Sequence, residues 1–493
     1  MKTLQLYNSL TRRLEEFKPV KEGHVGIYVC GPTVYGHSHL GHAKSYISFD
    51  ILVRYLRYLG YNVTYVQNIT DVGHLLGETN EGEDRMLVAA AREHKHPMAV
   101  AEFYTRSYFE DMDKLNCVRP DISPRASGHI VEQIELVKTL IDKGYAYERN
   151  GSVYFDISKF PDYGKLSGRK VEDMMAGARV EVSAEKKHPA DFAIWKKAEA
   201  NHIMQWPSPW GQGFPGWHLE CSVMSTKYLG QPFDIHGGGL DNKFPHHECE
   251  IAQAQAATGN QFVRYWMHNN MVTVDGQKMS KSLNNYITLK EAFAGTHSRL
   301  TQSYEPMAIR QFVLSSHYRS PLDFSDAALF AAKSGYEKLT DTVIAVRKQI
   351  KNAPNGPIDN NTANRLKELK EKFDAAMNDD LNTAIALSIM FELANLANDQ
   401  IAKNAASETL VAVENMFMHL GGDVLGIIKE QYQQQSEGNE AMLDKLVGIV
   451  IEQRKAAKDK KDFATADALR KKIEEIGIVL EDKPGGTTGW RMK

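Results

Sequence analysis

Residues 24–67 switch between the two hydrophobic periods of regular structure in a way that leaves few folds open. His24-Val25-Gly26-Ile27-Tyr28-Val29-Cys30 is a short apolar run of strand length, and Gly31-Pro32-Thr33 reads as a turn. Tyr46, Phe49, Leu52, Leu56 and Leu59 then recur at helical spacing, with Gly60 placed to end the helix. Asn62-Val63-Thr64-Tyr65-Val66-Gln67 reads as a strand again. Strand, helix, strand is the opening unit of a parallel sheet that binds nucleotides.

Two later runs, 232–236 and 264–268, have the same strand character and are followed by Gly-rich or polar turns, where such folds place ligands. The sheet is therefore expected to be interrupted by a long insertion, roughly residues 72–230. From about residue 322 the pattern turns helical, with breaks at 352–357 and 433–438 that read as linkers. The expected division is an α/β domain with a Rossmann-type parallel sheet over 1–321, a helical bundle over 322–432 and a small basic module over 440–493. A chain of 493 residues, 42% hydrophobic and 25% charged, can bury the core this needs and lacks the composition of disorder.

The net charge of −3 demands no anionic partner, so any nucleic-acid surface must come from local patches. Four scattered cysteines, at 30, 117, 221 and 249, are too few for a disulfide framework and suit a reducing cytosol. The N-terminus runs straight into the charged segment 12–16 without an apolar signal core, and no stretch approaches the roughly 20 apolar residues of a membrane span. A cytoplasmic protein is expected.

Two short motifs carry candidate phosphate chemistry. His39-Leu40-Gly41-His42 falls where a strand and turn would deliver a helix N-terminus, whose free N–H groups and dipole suit a triphosphate. His39 and His42 would add donors, and Gly41 would let a purine approach the backbone. An ordinary helix start explains the tetrapeptide equally well. Lys278-Met279-Ser280-Lys281-Ser282 puts two lysines on a Gly- and Ser-containing segment, where positive charge could stabilise an α-phosphate under attack; Lys281 is the first choice. By itself this pentapeptide reads as a solvated basic loop. The pair, with Gly237-Gly238-Gly239-Leu240-Asp241 between them, makes the bland accounts hard to sustain.

His246 and Glu250 are four apart, so a helix would put both on one face, in spacing that suits zinc. With Cys30 and Cys221 they offer two thiolates, an imidazole and a carboxylate, a set zinc accepts. Nothing in the spacing brings the two cysteines together, and free cysteines are more often buried hydrophobes.

The segments 28–35, Asn68-Ile69-Thr70-Asp71, 215–222, the triple-Gly stretch and Phe244-Pro245-His246-His247-Glu248 resemble, in order and over most of the chain, successive blocks of the bacterial cysteinyl-tRNA synthetase family. The resemblance implies a class I aminoacyl-tRNA synthetase that forms cysteinyl adenylate from L-cysteine and ATP with Mg²⁺ and passes the cysteinyl group to tRNA(Cys). It implies one Zn²⁺ per chain on Cys30, Cys221, His246 and Glu250; a monomer is expected. Adenylate contacts fall on Thr33, His39, Gly41, His42, Ser45, Asn68, Thr70, Trp217, Gly239, Asp241 and Lys281, with His39, His42, Lys278 and Lys281 as the catalytic set. Three departures stand out: Leu40 for the commoner Ile, Lys44 where Arg is frequent, and the segment after Asp71, to which no role is carried over.

Near the C-terminus eight basic residues (Arg454, Lys455, Lys458, Lys460, Lys461, Arg470, Lys471, Lys472) face three acidic ones (Asp459, Asp462, Asp467), a local +5 that can meet phosphates or simply be a solvated helix face. The ending at 477–491 resembles the family's anticodon-binding tail, where an exposed Trp490 and Arg491 could engage unpaired bases. That tail argues against a cysteine ligase acting on an amino sugar. The intact His39, His42, Lys278 and Lys281 argue against a non-catalytic RNA-binding relative.

Overall fold

The unit expected over residues 24–67 forms as β1 (His24–Val29), α1 (Leu40–Tyr58) and β2 (Asn62–Gln67), the strands parallel and in register from His24↔Asn62 to Val29↔Gln67. The structure, a computed structural model, describes residues 3–73, 85–169, 185–200, 202–280, 283–432, 435–460, 462–482 and 488–492, in two units, Met1–Lys429 and Glu430–Lys493.

After β2 the chain leaves the sheet through α2 (Pro97–Lys114) and a five-stranded antiparallel sheet between Ala146 and Pro215. It returns through α3 (Trp217–Leu229), β3 (Phe233–Gly239), α4 (His246–Thr258) and β4 (Val263–Asn269). The parallel sheet has the order β4-β3-β1-β2. The step from β1 to β2 and the step from β3 to β4 run in opposite directions, so the switch point lies between β1 and β3, and a crevice opens at their C-terminal ends. Gly237 makes the layering possible: a Cβ there would lie 2.3 Å from Phe49 Cε1 on α1.

Beyond β4 a small sheet carries the second motif. Its strands are β5 (Val272–Val274), β6 (Gln277–Lys278) and, after α5 (Leu289–Ala294) and α6 (Pro306–Leu314), β7 (Leu322–Phe324), in the order β6-β5-β7. The helical stretch expected from 322 therefore begins at 326, because Leu322 and Phe324 alternate inward on a strand paired with β5. The helices α7 (Asp326–Ile350), α8 (Asn360–Asn378), α9 (Thr383–Ala402) and α10 (Ser407–Met416) follow, with the break at 352–357 between α7 and α8. Arg310 of α6 is fully buried, paired with Asp50 of α1, and donates to the carbonyls of Leu115 and Leu425 at 3.0 and 2.8 Å. It ties α1 to the end of the bundle.

The second unit consists of α11 (Gln435–Asp459), α12 (Phe463–Glu475) and a hairpin of β8 (Ile478–Asp482) and β9 (Thr488–Met492). Its helix starts at Gln435, inside the break expected at 433–438, since Gln and Glu sustain a helix that one Gly only weakens. Two expectations change here. Arg454 is buried, so it leaves the proposed basic patch, and Trp490 is half-buried against Val447, Ile473, Ile478 and Leu480. So small a unit needs its one Trp for its core. Lys461 and residues 483–487 lie outside the described residues. Among the described residues no helix is long and apolar enough to cross a membrane.

Candidate active site and metal centre

A cavity of about 1560 Å³ occupies the crevice at the ends of β1 and β3. It is lined by Cys30, Thr33, His39, Gly41, His42, Ser45, Asn68, Thr70, Trp217, Cys221, Gly239, Asp241, His246 and Lys278. Fourteen residues singled out from separate parts of the sequence thus line one cavity. Glu250 is buried beneath the cavity, and Lys281 lies outside the described residues.

The first motif is a helix start and a cavity wall at once. His39 is the N-cap of α1: its Nδ1 accepts from Gly41 N–H at 3.0 Å, and His42 Nδ1 accepts from His39 N–H at 3.2 Å, a reciprocal capping box. Both acceptor nitrogens are therefore deprotonated, which puts each ring's proton on Nε2. Enclosure of the His42 ring pulls its pKa down to about 4, so it is a neutral donor rather than a cation at pH 7. The loop before α1 is bridged to the segment after the second motif, with Leu40 N–H donating to Ile287 O at 3.2 Å and Leu289 N–H to Ser38 O at 2.8 Å. Asn285, which the sequence reading passed over, accepts from Ser280 N–H at 2.7 Å and donates to Lys278 O at 3.2 Å, bracketing Met279.

The ends of β1 and β2 are knitted together by polar side chains. Asn68 accepts from Gly31 N–H at 2.8 Å and donates to Thr70 Oγ1 at 3.0 Å, and Thr70 donates to buried Glu220 at 2.6 Å. Gly31 admits no side chain, since a Cβ would sit 1.5 Å from the Asn68 carbonyl oxygen. Burial drives the Glu220 carboxyl well above its usual range despite the Thr70 bond.

Cys30 Sγ lies 4.0 Å from Cys221 Sγ and 3.9 Å from Glu250 Oε1, and His246 Nε2 lies 3.1 Å from the same oxygen. All four ligand atoms fall within 4.8 Å of one another, and all four residues are buried. Burial pushes the Cys30 thiol up to about 12 and the Cys221 thiol well above its usual range, so without a cation both would be protonated. Two sulfurs, an imidazole and a carboxylate converging at these separations fit a tetrahedral ion with bonds of about 2.0–2.3 Å. His236 holds the far Glu250 oxygen at 2.7 Å, and His218 holds His246 Nδ1 at 2.8 Å, the outer contacts that orient metal ligands.

A second group, Cys30, His236, His247 and Glu250, is equally close-knit, and spacing alone could not have chosen between His246 and His247. The walls decide differently for each: Cys30, Cys221 and His246 line the cavity, whereas His236 and His247 do not. His247 is instead committed to His268, at 2.9 Å, and stands 3.2 Å from Cys30 Sγ. Cys249 is buried, with Tyr163 OH 3.4 Å from its sulfur.

A parallel sheet with its ligand crevice at the switch point, a histidine-capped helix on one wall and a lysine-bearing hairpin on the other define the class I tRNA synthetases, and residues 16–334 match the family model described as tRNA synthetases class I (C) catalytic domain. Residues 372–429 match the DALR domain. The chain is 51% identical to the cysteine–tRNA ligase of Chlorobaculum tepidum, over 100% of both chains, and 51% identical to that of Bacteroides fragilis, over 99% of both. It is 47% identical to that of Deinococcus radiodurans, over 98% of this chain and 96% of that one. The chain belongs to the cysteine–tRNA ligase family. Its fold is also that of Mycobacterium tuberculosis methionyl-tRNA synthetase solved with methionyl-adenylate, at a TM-score of 0.60 and 15% identity over 82% of this chain and 91% of that one.

Proposed function

We propose that the protein activates L-cysteine with ATP to cysteinyl adenylate and transfers the cysteinyl group to tRNA(Cys). The observation that carries the reading is the shared cavity: the sulfur and imidazole donors of Cys30, Cys221 and His246 and the His39, His42 and Lys278 segments all line it. Zn²⁺ held by Cys30, Cys221, His246 and Glu250 would bond the substrate thiolate and so separate cysteine from serine, whose hydroxyl is a poor zinc ligand. An apolar pocket would distinguish such near-isosteres by only about 1–3 kcal/mol.

The remaining work falls to the chain itself. His39 and His42, each with its proton on Nε2, would donate to the phosphates at the N-terminal end of α1, where the helix dipole favours negative charge. Lys278 and Lys281 would meet the charge that grows during in-line displacement, with Mg²⁺ arriving on ATP. Thr33, Ser45, Asn68, Thr70, Trp217, Gly239 and Asp241 would hold the nucleotide and the amino acid. Ser45 is already fixed to Asn269 at 2.9 Å. In this reading the catalytic domain runs from 1 through the strand at 322–324, 326–432 is its helical bundle and 440–493 the anticodon module, in a cytoplasmic monomer, where four free cysteines are in keeping with a reducing compartment.

ATP–pyrophosphate exchange with zinc-analysed protein tests the proposal. Exchange with cysteine but not serine, and one zinc per chain, are expected; Cys221→Ser should lose both the zinc and the exchange. Exchange driven by another amino acid, or full activity without zinc, would refute it. Transfer that does not depend on tRNA would point to a different acceptor.

A further inference from the structure

Lys44 lies on α1 two residues after His42, and it is 1% exposed. No carboxylate meets its ammonium among the hydrogen bonds and ion pairs of the described residues. The ammonium donates instead to two backbone carbonyls, that of Ser320 in a short hydrogen bond and that of Met271 at 3.4 Å. Burying a cation on carbonyls alone is costly, and desolvation pulls its pKa down to about 8. A position whose only task was to fill the core would be better served by an apolar side chain.

The two carbonyls share one location. Met271 immediately precedes β5 and Ser320 lies two residues before β7, and these parallel strands pair from Val272↔Leu322 to Val274↔Phe324. Met271 O also accepts from Leu322 N–H at 3.1 Å, so the lysine sits where both strands begin. On the other side of β5, Thr273 pairs with Lys278 of β6. The β5–β6 hairpin that carries Lys278 and the segment at 287–289 are therefore each held to the first-motif segment. Lys44 holds the hairpin, and the backbone bonds of Ser38 and Leu40 to Leu289 and Ile287 hold the segment that follows.

We infer that Lys44 is a positioning residue for adenylate formation: its ammonium fixes the sheet bearing Lys278 to the helix bearing His42, and so sets the spacing between the two phosphate-binding segments. The ligands that would take the cysteine thiol sit just after β1 (Cys30), on α3 (Cys221) and on α4 (His246 and Glu250), outside this linkage. Loosening it should therefore disturb phosphate positioning while leaving the amino-acid site intact. Misplacing a catalytic group by about 1 Å can cost on the order of a hundredfold in rate.

The inference rests on the proposed cysteine activation, and its test separates the two. Pyrophosphate exchange is measured for the full-length wild type, Lys44→Met and Lys44→Arg, varying ATP and cysteine independently, together with zinc content and thermal melting. Methionine is nearly the same length and removes a buried charge, so this variant should fold and melt at or above the wild-type temperature. Lys44→Met is expected to lose tenfold or more in kcat, or to gain as much in KM for ATP, with KM for cysteine and zinc content unchanged. Lys44→Arg, which can donate to both carbonyls, should recover most of the loss. Wild-type kinetics in Lys44→Met would overturn the inference, as would a loss shared equally by both substrates and matched by a lower melting temperature. A wild type that does not exchange with cysteine would overturn the activity on which the inference stands.

Discussion

Replacing His42 by Ala separates the two roles that the first motif can have. As part of the helix start, the ring accepts one backbone hydrogen bond, from His39 N–H at 3.2 Å. Losing a cap partner of this kind costs about 1 kcal/mol, well short of unfolding a protein of this size. As a catalytic donor, the Nε2–H would stabilise charge developing on the phosphates, and removal of one such donor costs about 10²–10³ in rate, or roughly 3–4 kcal/mol. The two losses are read by different instruments: urea denaturation for the first, steady-state pyrophosphate exchange at saturating cysteine for the second. His42→Gln isolates the cap, because a glutamine amide oxygen at this position can take the same N–H and should restore the stability. A stability loss near 1 kcal/mol together with exchange within threefold of wild type in His42→Ala would refute the catalytic role and leave His42 as a capping residue.

Stability should respond to pH through the same ring. His42 titrates near 4 in the folded chain and near 6.5 when unfolded, so between those values the unfolded state binds more protons. Its contribution is fully present above pH 6.5 and is lost as pH falls toward 4, by up to about 3 kcal/mol. Urea midpoints from pH 7 to 4 should therefore fall less steeply for His42→Gln than for wild type, and parallel curves would disprove the assignment. Gly31→Ala should cost about 3 kcal/mol or more, because its Cβ would meet the Asn68 carbonyl at 1.5 Å and force β1 and β2 apart at the cavity floor. A soluble, wild-type-like variant in chemical denaturation would contradict this. Among the described residues, Arg310→Met leaves Asp50 with Arg54 and Val118 N–H, at 2.9 and 2.7 Å, and should cost about 3–5 kcal/mol. A double-mutant cycle with Asp50→Asn should show at least about 1 kcal/mol of coupling, and simple additivity would count against the pair.

Local pattern and residue chemistry took the sequence a long way. The alternation over 24–67 was enough to define β1, α1 and β2, because helical and strand periods differ and each was bounded by Gly or Pro. From the motifs at 39–42 and 278–282, His39, Gly41, His42 and Lys278 line one cavity, as does His246 of the i, i+4 pair with Glu250, while Lys281 lies outside the described residues. Other features had no local signature. Leu322–Phe324 looked like the start of a helical region and is a strand, since its pairing partner lies 50 residues earlier in β5. Trp490 looked like an exposed base reader and is half-buried, because a hairpin shows which face it packs only once its helices are in place.

The sequence by itself determined which residue types could bind phosphate and a soft metal ion, and on which elements most of them would sit. The tertiary structure alone decided that Cys30 and Cys221, 191 positions apart, bring their sulfurs within 4.0 Å, and that His246 rather than His247 faces the cavity beside them. It alone gave Lys44 its two carbonyls, from segments 227 and 276 positions away. The physical reason is range. Periodicity and capping are set by neighbours within about one helical turn or a strand pair, whereas a site at a sheet's switch point is assembled by how β1, β3 and the helices between them pack.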